Sequence, residues 1–515
     1  MKTFYYFNNT GGINQEVSDL TLNNNDAEDI VNLHATAAGR WSGSNVGFTH
    51  INDTPLGNGT AIETLYAFTT LAGVTHVIAS AGGTLYTVEP GSGQATEQYS
   101  GLSGTAMNFS TFNGLLIGSN GVDPPIQWNG LDAVSDLPGW PPVIPGIASG
   151  VPNFSAVFAN RLIFSGDNSN PSVIYLSALE DPETFTPGSG SASAGAIQVS
   201  PGDGEKITAL KTLFLPIENE EVLVIFKESA TYLLTGNDAE TFVLQKLSSE
   251  FGAVSHRSVT LVGNQLMVLS KEGIMALSTA TQEGNLTTGF LSNRIQKQMS
   301  TLNAFQLKNS FCLHLRSRQE VWWFVTASNS TTNQTVLVYN YGLVFNPGGA
   351  WSRRAGLEAA CGLVLNNTVY TGNYAGQIAR QNSGNHYDGQ PIAWVYRTGF
   401  YDFNAPRSRK RVREIVLQLK QISTLSLTVN LYWDFKRGSF HRQTRTLSVL
   451  PDASSATFGV ARFGEDTYNV VGISTLRFTP SGSGRYFQLE LTGEAIDAPV
   501  EIEGWQITVH YGGSL

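Results

Sequence analysis

Cysteine is nearly missing from this chain of 515 residues; Cys312 and Cys361 are the only two. Two thiols cannot staple a fold of this size. A disulfide-dense secreted scaffold is therefore excluded, and each Cys reads as a small buried apolar residue. Charge is scarce as well, at 14% of residues with a net charge of −10. Residues 391–515 hold fourteen Lys and Arg against eleven Asp and Glu, so residues 1–390 carry the acidic excess. An acidic body argues against a protein whose main task is to grip phosphate backbones. Long apolar runs are also missing: nothing approaches the roughly 18 residues that a spanning helix needs. The start, Met1-Lys2-Thr3-Phe4-Tyr5-Tyr6-Phe7, imitates a signal peptide, but its apolar run stops at Asn8. That is short of an h-region, so no export signal is expected.

Catalytic grammar is missing too. The eight His are scattered, with no metal-ligand spacing among them. There is no nucleophile elbow, phosphate-binding loop or dinucleotide fingerprint. No cofactor and no metal are expected. Two acidic clusters, Glu218-Asn219-Glu220-Glu221 and Glu180-Asp181-Pro182-Glu183, lack the alternating spacing of calcium loops and read as solvated loops.

What is present in quantity is Gly, at 53 residues, and a β-hairpin written repeatedly. Thr75-His76-Val77-Ile78-Ala79-Ser80, the turn Ala81-Gly82-Gly83 and Thr84-Leu85-Tyr86-Thr87-Val88 form its cleanest copy. Seven such units fall at roughly 62–99, 104–137, 151–188, 206–248, 254–284, 307–355 and 358–384. Within them Arg161–Ser165, Gln265–Ser270 and Thr368–Thr371 read as inner strands, each following an Asn-containing turn. Units of about 30–50 residues with three or four strands match propeller blades. Stacked sandwiches are the competing reading. Leu291, Ile295 and Met299 recur at helical spacing and predict a linker helix over 291–299. From about Gln390 the strands lengthen and alternate, as in Ile415–Leu419, Leu425–Trp433, Arg485–Leu491 and Ile502–Val509. One buried and one wet face suit a compact antiparallel sandwich. The fold class expected is all-β: a β-propeller of about seven blades over 46–390 and an antiparallel β-sandwich over 391–515. Residues 1–45 read as an extended arm without its own core, lying on another domain or another subunit, with a short helix opening near Asn25–Asp29.

One basic cluster stands out: Arg407, Arg409, Lys410, Arg411 and Arg413. The odd-numbered residues share one face of a strand and Lys410 takes the other. A row of guanidinium groups resists burial without anionic partners. It is either a docking stripe for subunits, other proteins or DNA phosphates, or an edge strand guarded by charge.

Several stretches resemble tailed-phage structural proteins. Gly11-Gly12-Ile13-Asn14 followed by Asn25-Asp26-Ala27-Glu28-Asp29-Ile30-Val31-Asn32 is one. Phe226-Lys227-Glu228-Ser229-Ala230-Thr231-Tyr232-Leu233 is another, as is Gly252-Ala253-Val254-Ser255-His256-Arg257-Ser258-Val259 with Lys271-Glu272-Gly273. Tyr401-Asp402-Phe403, Arg409–Arg413 and Gly484-Arg485-Tyr486-Phe487 complete the pattern. The chain resembles podovirus tail nozzle or hub proteins, also called tail accessory factors. That resemblance implies a virion protein without catalysis, in a ring usually of six copies. Its partners would be portal-adaptor proteins, tail fibre, spike or needle proteins, and viral double-stranded DNA in transit. The rival expectation is a phage receptor-binding or glycan-binding propeller, in which Tyr341, Trp322 or Trp323 stacks on sugars.

Overall fold

The computed structural model describes the chain except residues 8–9, 19–21, 149, 217–218, 283–284, 344–348, 422–424, 438–442, 450–472, 498 and 513–515. It is an all-β protein. Six sequence-local groups of four antiparallel strands follow one another at 62–100, 108–136, 154–198, 207–248, 259–290 and 311–355. A seventh group combines Cys361–Leu365, Thr368–Gly372 and Ile378–Gln381 with Phe48–His50. These are blades 1 to 7 of a β-propeller. Turn chemistry explains tight hairpins in four of the blades. Gly82-Gly83, Asn113-Gly114, Ala159-Asn160 and Asn366-Asn367 all hold positive φ at both turn positions. Two-residue hairpins of this kind match the twist of the strands they join, and Gly and Asn tolerate them best.

The first strand of each blade is the innermost. These strands touch their counterparts in neighbouring blades and surround a central channel. Arg161–Ser165, Gln265–Leu269 and Thr368–Gly372, expected to be inner strands, are the second strands of their blades, each pairing back onto the strand nearest the axis. Neighbouring blades seal against each other with apolar clusters of their own, such as Leu210, Leu223 and Phe158 between blades 3 and 4. The ring closes where Phe48, Thr49 and His50 pair with Gln381, Arg380 and Ala379. Asn52 locks that seam: its Nδ2 donates to the carbonyls of Thr54 and Gly376, and its Oδ1 accepts from the Ile378 N–H.

Blade 6 does not end at its fourth strand. Ala350–Ala355 pairs on with Asp26–Val31, which pairs with Ile392–Thr398 and so with Phe487–Ala495, Leu425–Trp433 and Gln443–Val449. One ten-stranded sheet thus runs from the propeller into the sandwich. The opposite sheet is centred on Val500–Tyr511, with Lys410–Gln421 on one side and Lys2–Tyr6 and Trp41–Ser42 on the other. Val412, Ile415, Leu417 and Leu419 of that sheet share a core with Val429, Leu431, Leu489 and Leu491 of the first.

The described residues of the first 45 therefore lie on the sandwich of the same chain. Ile13, Ala27, Ile30, Leu33 and Trp41 are buried in its core. The segment from Asp26 is a strand and not the expected helix. Ala27, Ile30 and Val31 are buried between two strands of the ten-stranded sheet, and that pairing overrides local preference. The expected linker helix is present as a short 3₁₀ turn, Asn293–Ile295, running into one helical turn, Gln296–Met299, with Ile295 buried. No helix among the described residues is long and apolar enough to cross a membrane.

Candidate functional site

The basic cluster splits in two. Lys410 opens the strand Lys410–Gln421 and turns inward, only 1% exposed. Its Nζ donates to the Arg485 carbonyl at 2.6 Å and sits over the Tyr486 ring. Burial pulls its pKa below the ordinary lysine value. Lys410 is thus removed from any docking surface, because its charge is spent inside the domain. Arg411 and Arg413 are exposed on either side of buried Val412, and a bulge leaves Arg413 without an opposed residue. Arg407 and Arg409 are exposed in the turn before the strand; Arg409 Nε donates to Ser483 Oγ at 2.9 Å. Among the described residues none of these four arginines meets a carboxylate within ion-pair distance.

The acidic clusters serve turns. Glu220 accepts from the Gly236 N–H, Asp181 from the Glu183 N–H, and Glu183 from the Gln127 amide. Glu218 lies outside the described residues. No group of three or more potential metal ligands occurs among the described residues. Trp322 and Trp323 are both fully buried, which corrects their candidacy as sugar platforms; Trp322 is held under Arg354, 4.0 Å from its ring. Tyr341 is half-buried and bonded to His314 at 2.8 Å.

The channel holds what the sequence did not disclose. Before the innermost strand of blade 5, the 3₁₀ turn His256–Ser258 swings into the axis. His256 stacks on Phe154 of blade 3 at 4.8 Å, and its Nδ1 accepts the Leu210 N–H of blade 4. Arg257 reaches across to donate to the Glu63 carbonyl of blade 1 at 3.0 Å. Its own carbonyl accepts from Cys312 Sγ of blade 6. The turn is a plug touching the inner strands of several blades. It divides the channel into a near chamber of about 340 Å³ and a far chamber of about 270 Å³, both lined by His256 and Arg257.

Electrostatics give the channel its character. Lys206 and Lys308 join Arg257 on the near chamber, and Lys211 faces the far one. Among the described residues no Asp or Glu lines either chamber. Burial lowers the Lys211 pKa, and burial with neighbouring Lys211 and Arg257 pushes His256 far below the usual imidazole range. Cys312 and Cys361 both border the far chamber as free thiols, and burial pushes each up to about 12. Thiols held protonated are poor nucleophiles. The lining can attract an anion, but it offers no carboxylate for general acid or base work. The only sequence signal for the plug was the His-Arg pair within Gly252–Val259.

No family model matches this sequence, and no curated protein does. Solved structures share the general form at low similarity. YCF48 from Cyanidioschyzon merolae is 9% identical with a TM-score of 0.41, covering 65% of this chain and 98% of that one. The extracellular domain of the putative one component system BT4673 from B. thetaiotaomicron is 11% identical with a TM-score of 0.44, covering 90% of this chain and 62% of that one. A computationally designed protein, Ika8, is 12% identical with a TM-score of 0.35, covering 65% of this chain and 99% of that one.

Proposed function

We propose that this chain is a structural protein of a phage tail, one wall segment of a ring-shaped nozzle or hub that conducts DNA during ejection and docks other tail proteins. The reading starts from the sequence resemblance. The observation that carries it furthest is the ten-stranded sheet shared by blade 6 and the sandwich. A continuous hydrogen-bonded sheet leaves no flexible linker between the two bodies, which suits a part that must keep its shape under the forces of ejection.

The propeller itself is not the conduit. A duplex whose major groove alone is about 12 Å wide cannot pass a channel plugged by Arg257 and cut into chambers of about 340 and 270 Å³. DNA would run through the lumen enclosed by a ring of copies, six if the resemblance holds. A wall that is acidic overall repels phosphate and lets the polymer slide. The exposed arginines at 407, 409, 411 and 413 would receive carboxylates of a neighbouring copy or of a portal-adaptor, fibre or needle protein. Arginine's planar fork suits that pairing. The protein acts in the virion and hydrolyses nothing. Quantitative mass spectrometry of purified particles tests this: a fixed small copy number in the tail fraction is expected. Recovery only from the host lysate, or release of sugars from host polysaccharide by the purified chain, would replace the reading.

A further inference from the structure

We infer that the near chamber of the propeller channel is a binding site for a small multivalent oxyanion of the phosphate class, either free or carried on a sugar. Charge makes the first argument. The chain holds forty-one Asp and Glu against thirty-one Lys and Arg, yet among the described residues the walls of both chambers carry only the cationic kind. Lys206 enters from the start of blade 4, Lys308 from the segment before blade 6, and Arg257 from the plug. Three cations from three directions around one volume each attract an anion placed between them. Neither lysine pairs with a carboxylate among the described residues. Arg257 spends one donor on the Glu63 carbonyl, which fixes its orientation and leaves other guanidinium donors open to the channel.

Shape and wall chemistry narrow the ligand. A volume of about 340 Å³ lies at the small end of ligand sites. It holds a phosphate, a pyrophosphate or a sugar phosphate, and excludes a nucleic-acid strand or a protein segment. A carboxylate is planar and is satisfied by a single arginine fork. Cations approaching from several sides instead match a tetrahedral anion with oxygens on every side. Asn153 and Asn168 supply amide groups on the remaining wall, suited to further phosphate oxygens or to sugar hydroxyls, while the Asn108 amide already donates to Asn153 and the Asn309 amide to Gln306. The inference does not depend on the virion reading.

Calorimetric titration of the full chain at fixed ionic strength is the test, with inorganic phosphate, pyrophosphate, glucose 6-phosphate and neutral glucose as probes. Thermal melts of the same mixtures accompany it. Pyrophosphate or glucose 6-phosphate is expected to bind and to raise the melting temperature, with glucose inert. The K206A/K308A double variant removes exposed side chains only, so it should fold and melt normally without ligand. It should bind at least about tenfold more weakly, the loss expected for one charge-assisted hydrogen bond. K297A/K436A removes two exposed lysines outside the channel and should bind like the parent. Tighter glucose 6-phosphate would assign the amide wall to hydroxyls; tighter pyrophosphate would assign it to phosphate oxygens. Neither heat nor a melting shift with any anion, or equal losses in the two double variants, would overturn the site.

Discussion

The propeller and the sandwich are both antiparallel β-structures, but they are assembled by opposite rules. A blade is local. Thr75–Ala81 meets Thr84–Val88 across a two-residue turn, and every strand of blades 1 to 6 pairs with its sequence neighbour. The sandwich is built from the ends of the chain. Lys2–Tyr6 pairs with Val500–Tyr511, and Asp26–Val31 is wedged between Ala350–Ala355 and Ile392–Thr398. Closing such distant pairs costs more chain entropy than closing a hairpin. The propeller can therefore acquire order piece by piece, whereas the sandwich cannot form until both ends of the chain are present.

Removing residues 1–45 should break the comparison most sharply. The sandwich would lose Ile13, Ile30 and Trp41 from its core and the strand that joins it to blade 6. Limited proteolysis should then cut throughout 391–515 and spare the blades, since the closing strand Phe48–His50 remains. A truncated chain whose sandwich resists protease as the parent does would sink the account of the chain ends.

Matched core truncations sharpen it further. Leu266 of blade 5 and Leu489 of the sandwich are both fully buried. Each change to Ala should cost about 2–5 kcal/mol. If the shared sheet couples the two bodies, both variants will shift one common denaturation transition. Two separate transitions, each moved by one variant, would show that the sheet does not transmit cooperativity. At the ring seam, Asn52→Ala removes three hydrogen bonds and strands a buried N–H, at about 1–3 kcal/mol. Its effect should appear as faster amide exchange in blade 7 and not in blades 2 to 5.

Acid should loosen the junction as well as the channel plug, where burial and the charges of Lys211 and Arg257 lower His256 in the same sense. His34 is half-buried beside Arg318 and Arg354, and desolvation with those charges lowers it from the usual 6.5 to about 3. The folded protein resists the proton that the unfolded chain accepts. Stability is therefore lost as pH falls from about 6.5 towards 3. Melts across that window should show the decline, and a His34→Asn variant should flatten part of it. The smallest effect on the monomer is expected from R409E/R411E, within about 0.5 kcal/mol for exposed side chains. The same variant should weaken assembly or docking, more so at low salt. Normal incorporation into infectious particles would leave edge protection as the role of those arginines.

These contrasts also explain what the sequence could disclose. Blade positions were legible because turn residues such as Asn366-Asn367 and the flanking alternation lie within one short window. The strand that closes blade 7 was not, since its partner Ile378–Gln381 comes from the other end of the propeller. Alternation placed Arg411 and Arg413 outward and Lys410 inward. The depth of Lys410 depends on a carbonyl at Arg485 that no local pattern announces. The plug was illegible for a related reason. His256 and Arg257 become a site only when blades 1, 3, 4 and 6 surround them. Asp26–Val31 misled because an Asn-Asp opening with spaced Ile30 and Leu33 imitates a helix start, and only tertiary pairing makes it a strand.

Averaged electron micrographs of the purified chain and of purified phage tails test the proposed ring most directly. The account predicts a closed ring with an open lumen enclosed by several copies, each contributing a separate plugged propeller to the wall. Particles in which the chain stands as isolated monomers at the tail periphery, or in which DNA density enters a propeller axis, would contradict it.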